Sequence, residues 1–228
     1  MRTYGQYCSA AKALDLVGDR WTLLVVRELL IQQGPCRFTE LLRGLPGIAT
    51  NLLTDRLRLL EAAGLVTRRH EPPPIATTLY DLTPRGQALE PVLLELMRWG
   101  MPLMAEEMSG AAFRAEWAVY VARLFCTDHA PTAGSELAEF RADGEVWYLE
   151  ADHGRLSCVV GAPATTNVTV TGEARTLMGL TTGVLTLDQA RDLGLELEGD
   201  PEVLARVLGP GVRTSAAPAA APDSLQPT

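Results

Sequence analysis

No apolar run in this 228-residue chain approaches the ~20 residues that a helix needs to cross a bilayer. The start, Met1-Arg2-Thr3-Tyr4-Gly5, has no apolar stretch of the signal-peptide kind, so a cytoplasmic protein is expected. Cysteine and histidine are scarce. Cys8, Cys36, Cys126 and Cys158 form no Cys-x-x-Cys pair, and His70, His129 and His153 have no metal-ligand spacing. A metal site is therefore not expected, and reduced thiols fit the cytoplasm. Gly-x-Ser-x-Gly and Gly-rich phosphate loops are absent too, so neither a cofactor nor an enzymatic activity is expected.

Lysine is nearly missing: Lys12 stands alone among twenty basic side chains, and the rest are arginine. The net charge of −8 argues against nucleic acid only if it is spread evenly. It is not. Residues 1–108 carry 12 basic and 12 acidic side chains, and residues 109–228 carry 8 and 16. Between positions 37 and 69, six arginines face only Glu40, Asp55 and Glu61. Local field, not net charge, governs attraction to phosphates, so this stretch is compatible with nucleic acid while the acidic half would be held away from it.

Three pieces follow from composition and pattern: 1–108, 109–213, and an Ala/Pro-rich tail, 214–228, expected to be disordered. The first reads as helices with one hairpin. Ser9 is expected to cap a first helix and Asp19 a second, nearly all-apolar and hence central one. A short helix through Phe38, Leu41 and Leu42 precedes a longer one from about Thr50 to Ala63. Strands at 65–67 and 79–82 flank Pro72-Pro73-Pro74. Thr83-Pro84 then opens a single long helix reaching Met104, suited to a dimerisation arm.

The helix from Thr50 carries the chemistry. Leu53, Leu57 and Leu60 share one stripe, while Thr50, Asn51, Thr54 and Arg58 point away from it. Asn and Arg make bidentate contacts to adenine and guanine edges, and short hydroxyls suit phosphates. Arg56, at the margin of the stripe, suits a phosphate, and Arg37 adds a further basic candidate. Arg68 and Arg69, beside His70, would lay a wing on the DNA backbone. The competing reading is a merely solvated polar face.

Residues 8–104 resemble the HxlR family of winged-helix regulators, relatives of the MarR type. Cys8, Ala13-Leu14-Asp15-Leu16-Val17-Gly18-Asp19-Arg20-Trp21-Thr22-Leu23-Leu24 and Arg37-Phe38-Thr39-Glu40-Leu41 carry the match. Leu45-Pro46-Gly47-Ile48, Leu53 through Val66, Tyr80 through Gly86, and Trp99-Gly100 continue it. The resemblance implies a homodimer, built from the first and last helices of this piece, on double-stranded operator DNA. It departs at Ala49, where the family usually has serine, so capping is expected to fall to Thr50. The resemblance also raises a thiol sensor at Cys8, aided by a helix start and by Lys12 one turn on. The alternative is a small buried side chain at a dimer contact.

The second piece alternates short strands and turns, such as Asp143-Gly144, before helices return. It reads as an α+β domain with a mainly antiparallel sheet. Val168-Thr169-Val170-Thr171-Gly172 and Leu177-Met178-Gly179-Leu180-Thr181-Thr182-Gly183 resemble the end of a sterol-carrier-protein domain. That likeness implies an apolar cavity for a hydrophobic effector, with Phe140, Trp147, Leu149, Leu156 and Met178 as candidate walls. A purely structural domain, or a lipid carrier that ignores DNA, are the alternatives.

Overall fold

The computed structural model describes residues 3–74, 76–105 and 111–209, and the chain divides into two units, Met1–Gly100 and Met101–Thr228. The tail expected at 214–228 lies outside the described residues.

The first unit runs α1 (Ser9–Val17), α2 (Thr22–Gln32), β1 (Cys36–Arg37), α3 (Phe38–Arg43), α4 (Thr50–Ala62), β2 (Val66–Glu71), β3 (Thr77–Leu82), α5 (Pro84–Gln87) and α6 (Glu90–Gly100). Its core gathers Val25, Val26 and Leu29 of α2, Leu41 of α3, and Leu53, Leu57 and Leu60 of α4. The central place expected for the second helix follows from this burial. The strands form an antiparallel sheet in the order β1-β3-β2, with Arg68 opposite Tyr80 and Cys36 also opposite Tyr80. The two-residue strand β1 was not expected, since it is too short to show a period.

Three helix starts differ from expectation. Ser9 and Thr50 are the first residues of their helices, and the cap positions belong to Cys8 and Ala49, with no side-chain cap bond. Trp21, in the left-handed region at φ 78°, precedes α2, and Asp19 contributes its backbone carbonyl to the Thr22 N–H at 3.1 Å. Thr83 does cap, its hydroxyl accepting from the Gly86 N–H at 3.1 Å. The long helix expected to follow is divided instead. Pro91 would have no N–H to continue the ladder from α5, and Pro102 follows the end of α6. A 3₁₀ turn, η1 (Met101–Ala105), comes next in the chain.

The second unit continues through α7 (Ala115–Phe125), β4 (Glu136–Ala142), β5 (Glu145–Asp152), β6 (Arg155–Val160), β7 (Val168–Thr171), α8 (Ala174–Thr181), α9 (Leu187–Asp192), β8 (Glu196–Gly199) and α10 (Pro201–Leu208). Its sheet has the order β6-β5-β4-β7-β8, antiparallel except where β4 meets β7. Two tight turns set the register of β4, β5 and β6. Asp143-Gly144 has φ 52° and 81°, and His153-Gly154 has φ 47° and 87°. Both central residues at positive φ match the right-handed twist of the flanking strands. α7 packs on β5 and β6, and α10 on β4, β5 and β7. The sheet face beneath them buries Ala138, Phe140, Trp147, Leu149 and Ala151.

One buried cation ties this unit together. Arg206 of α10 donates to both Asp128 oxygens at 2.8 and 2.9 Å, to Glu136 at 2.8 Å and to the Gly134 carbonyl at 2.7 Å. The Arg206 and Asp128 side chains are 4% and 0% exposed. These bonds, chiefly from Arg206, with help from the Ala130 and Gly154 N–H groups, hold the Asp128 carboxyl well below the usual carboxylate range. A carboxyl whose folded pKa is depressed stabilises the fold above its unfolded value, about 3.9, and loses that contribution as pH falls. Arg206→Ala strands a buried carboxylate and should cost about 3–5 kcal/mol in urea unfolding at neutral pH. The same variant should show a shallower loss of stability between neutral and acid pH than the parent.

Candidate nucleic-acid interface

The geometry begins with the pair α3–α4. Between them Leu45 and Ile48 are buried, and Gly47 sits at φ 85°. A Cβ at Gly44 would lie 2.0 Å from a carboxylate oxygen of buried Glu28, so a larger residue there would have to displace that side chain. With Leu53, Leu57 and Leu60 turned into the core, the opposite face of α4 presents Thr50, Asn51, Asp55 and Arg58, all exposed. The Arg58 side chain is 70% exposed and meets Asp55 only at 3.7 Å, a loose surface pair that a phosphate or base edge can displace. Thr54 is half-buried, and its hydroxyl donates back to the Thr50 carbonyl at 2.9 Å.

Arg56 behaves differently from the phosphate contact expected of it. Its side chain is 17% exposed and folded back, with Nη1 on Asp19 at 2.5 Å. Its Nε is buried with no hydrogen-bond partner among the described residues. Arg56 thus pins α4 to the turn between α1 and α2. Asp19 is the residue that sequence reasoning missed here, having been read as a helix cap. No local signal pairs it with a side chain 37 positions away.

The β2–β3 hairpin forms the wing. Arg68 and Arg69 are exposed, and strand alternation puts them on opposite faces. Arg69 bonds Glu71 at 2.5 Å, whereas Arg68 has no side-chain partner among the described residues. His70 lies opposite Thr78, with Nδ1 and the hydroxyl 3.3 Å apart. Arg37 is exposed just before α3, where its backbone N–H donates to Glu40 at 2.6 Å.

Cys8 is exposed at the cap position of α1. Backbone N–H groups of Ala11 and Ala10 lower its thiol pKa. Lys12, expected to help, turns instead to Asp15 at 3.8 Å. Burial pushes the other thiols up, Cys36 and Cys126 to about 12 and Cys158 to about 11.

In the second unit the expected cavity walls are occupied by packing. Phe140 stacks on Trp147 at 5.5 Å, Phe113 tilts against the same indole at 5.6 Å, and Leu149 is fully buried. Leu156 is half-buried on β6, and Met178 is buried in α8. None of these five candidates borders the apolar cavity of about 170 Å³ that the unit contains, whose walls include Met101, Met104, Val184, Leu185 and Leu193. Strand alternation identified the buried sheet face, but α7 and α10 fill it. The actual walls come from separate turns, which carry no shared sequence period. Among the described residues no group of three His, Cys, Asp or Glu side chains is placed to hold a metal, and no helix is long and apolar enough to cross a membrane.

Three helices, a partly exposed second helix of a helix-turn-helix pair, and a β-hairpin after it define the winged helix-turn-helix class. A profile for the HxlR-like helix-turn-helix matches residues 16–108. A transcriptional regulator of helix-turn-helix type from Synechocystis sp. is 37% identical over 103 residues, 45% of this chain and 75% of that protein. YvaP of Bacillus subtilis, described likewise, is 39% identical over 88 residues, 39% of this chain and 80% of its own. A crystal structure of a MarR-family regulator from Porphyromonas gingivalis superposes with a TM-score of 0.40 at 30% identity, over 44% of this chain and 97% of that one. The chain belongs to the HxlR-like helix-turn-helix family through its first unit.

The thiol environments make a direct prediction. At pH 7.5 in the native state, iodoacetamide should label Cys8 first, with Cys36, Cys126 and Cys158 labelled only after denaturation. Peptide mass mapping checks it. Native labelling spread evenly over the four would contradict the environments described.

Proposed function

We propose that the protein is a sequence-specific, cytoplasmic transcription regulator that binds double-stranded operator DNA as a homodimer. The observation that carries the reading is the outward face of α4, where Asn51 and Arg58 stand exposed opposite a fully buried leucine seam. Family membership supports the same function, as do the transcription-regulator descriptions of the relatives. Asn51 and Arg58 would read base edges in the major groove. Thr50, Thr54, Arg37, Arg68 and Arg69 would contact phosphates or flanking bases. Arg56 acts one step back, as a positioning residue that sets the pitch of α4 through Asp19.

Dimerisation is supported by apolar surface. Val92, Leu96 and Trp99 lie at i, i+4 and i+7 on α6, and are 51%, 46% and 73% exposed. Leu14 on α1 is 48% exposed. Side chains of this size left in water favour a partner surface, and a second copy supplies one with the same chemistry. A hydrophobic effector in the second unit is the further part of the reading, supported by the apolar cavity there. A second reading, thiol sensing, rests on exposed Cys8 with its thiolate favoured by two backbone N–H groups.

Fluorescence anisotropy on a duplex from the protein's own upstream region, against random duplex, tests the DNA reading. Arg58→Ala should reduce the discrimination between the two by about 1–3 kcal/mol. Arg68→Ala should weaken both alike and lower the salt slope by about one phosphate contact. If both variants bound like the parent, the assigned DNA face would be wrong. Trp99→Glu should shift the chain toward monomer in sedimentation velocity and weaken operator binding with it. Cys8→Ser should leave basal DNA binding intact and abolish any response to diamide.

A further inference from the structure

We propose that the cavity of the second unit is a specific site for a compact apolar carboxylate, one six-membered ring or a short branched chain in size. The inference rests on the effector reading above and gives that effector a chemical class.

Size sets the first limit. The cavity measures about 170 Å³. Drug-sized ligands occupy roughly 300–1,000 Å³, and an engineered apolar cavity of about 150 Å³ in another protein takes up benzene. A sterol or a long acyl chain therefore exceeds this cavity several-fold, and a single substituted ring matches it. The walls agree with a ring. Met101 and Met104 of η1 place two thioethers there, and thioether–aromatic contacts are favourable. Leu185 closes one side and cannot retreat far, since its N–H bonds the Gly179 carbonyl at 3.0 Å. Gly179 lets α8 come this close, because a Cβ there would lie 2.8 Å from Leu185 Cδ1.

Polarity sets the second limit. Thr176 borders the cavity and is 1% exposed, and its Oγ1 is buried with no hydrogen-bond partner among the described residues. An oxygen sealed from water is sealed from a ligand in the cavity too, so Thr176 offers no donor there. Thr182, also on the wall, has its hydroxyl committed to the Met178 carbonyl at 2.8 Å. Arg175 supplies the charge. Its Nε bonds Glu173 at 2.8 Å, but both side chains are about half exposed, at 47% and 63%. Such a pair is weak, and the guanidinium keeps a fork of donors for a carboxylate at the cavity mouth. An apolar body inside with a carboxylate at the rim meets the apolar walls and the Arg175 guanidinium.

The test uses the full chain labelled with ¹³C-methyl methionine, with benzoate as the probe and no DNA present. The Met101 and Met104 methyl signals should shift saturably with benzoate, while Met97 and Met178 stay in place. Arg175→Gln should weaken benzoate roughly tenfold, the loss of one charge-assisted bond, and leave benzyl alcohol unchanged. Val184→Trp, a change at a 46% exposed rim position, should abolish the shifts without altering the melting temperature. Absence of shifts at millimolar benzoate overturns the site. Equal benzoate affinity in parent and Arg175→Gln overturns the carboxylate assignment. Shifts produced by a long-chain fatty acid but not by benzoate overturn the size argument. These signals do not depend on DNA, so their failure and that of the operator assay are separately visible.

Discussion

Leu53, Leu57 and Leu60 are 0%, 2% and 0% exposed, and the rotation of α4 about its own axis follows from their burial. Each fully buried leucine contributes about 1.5–3 kcal/mol relative to exposure. Advancing the helix by one residue would turn that seam by about 100° and bring Thr54, Arg58 and Glu61 toward the core. The seam therefore decides which side chains α4 turns outward. The Arg56–Asp19 pair adds a contact from the helix to the turn between α1 and α2, outside the apolar core. Glu28 is buried beside Gly44, in the turn that leads to the helix.

The second unit is organised by a different balance. Its sheet face is filled by aromatic packing around Trp147, and the end of the unit is clasped by Arg206 between Asp128 and Glu136. Taking those charges out of water is unfavourable unless every donor is met, and here both carboxylates and two backbone carbonyls meet the guanidinium. The interior is thus committed to structure. What is left for a ligand is a smaller space away from the sheet centre, where η1 and the α8–α9 turn bring apolar side chains together without filling the gap.

Much of this organisation was legible in the residues. The strands 155–160 and 168–171 fall where alternation and turn residues place them, and the two Gly-containing turns follow from the need for positive φ. Asn51 and Arg58 were readable because an amphipathic helix has one period and one buried stripe. The caps at Ser9, Asp19 and Thr50 were misplaced, because a helix start depends on where the preceding backbone turns. The single long helix after Thr83 was an error of weight: Pro91 and Pro102 were visible, but the apolar pattern ran across them.

By itself, then, the sequence determined the winged helix-turn-helix class, the outward face of α4 and the α+β character of the second unit. The last two depend on short-range periodicity and turn chemistry, and the first also on the likeness to the HxlR family. Only the tertiary structure decided that Arg56 points back to Asp19, that Phe140, Trp147 and Leu149 are packing rather than walls, and that η1 shares a cavity with α8. Those are meetings of segments far apart in the chain. Their partners are selected by how close-packed elements leave space and charge, which no local pattern encodes.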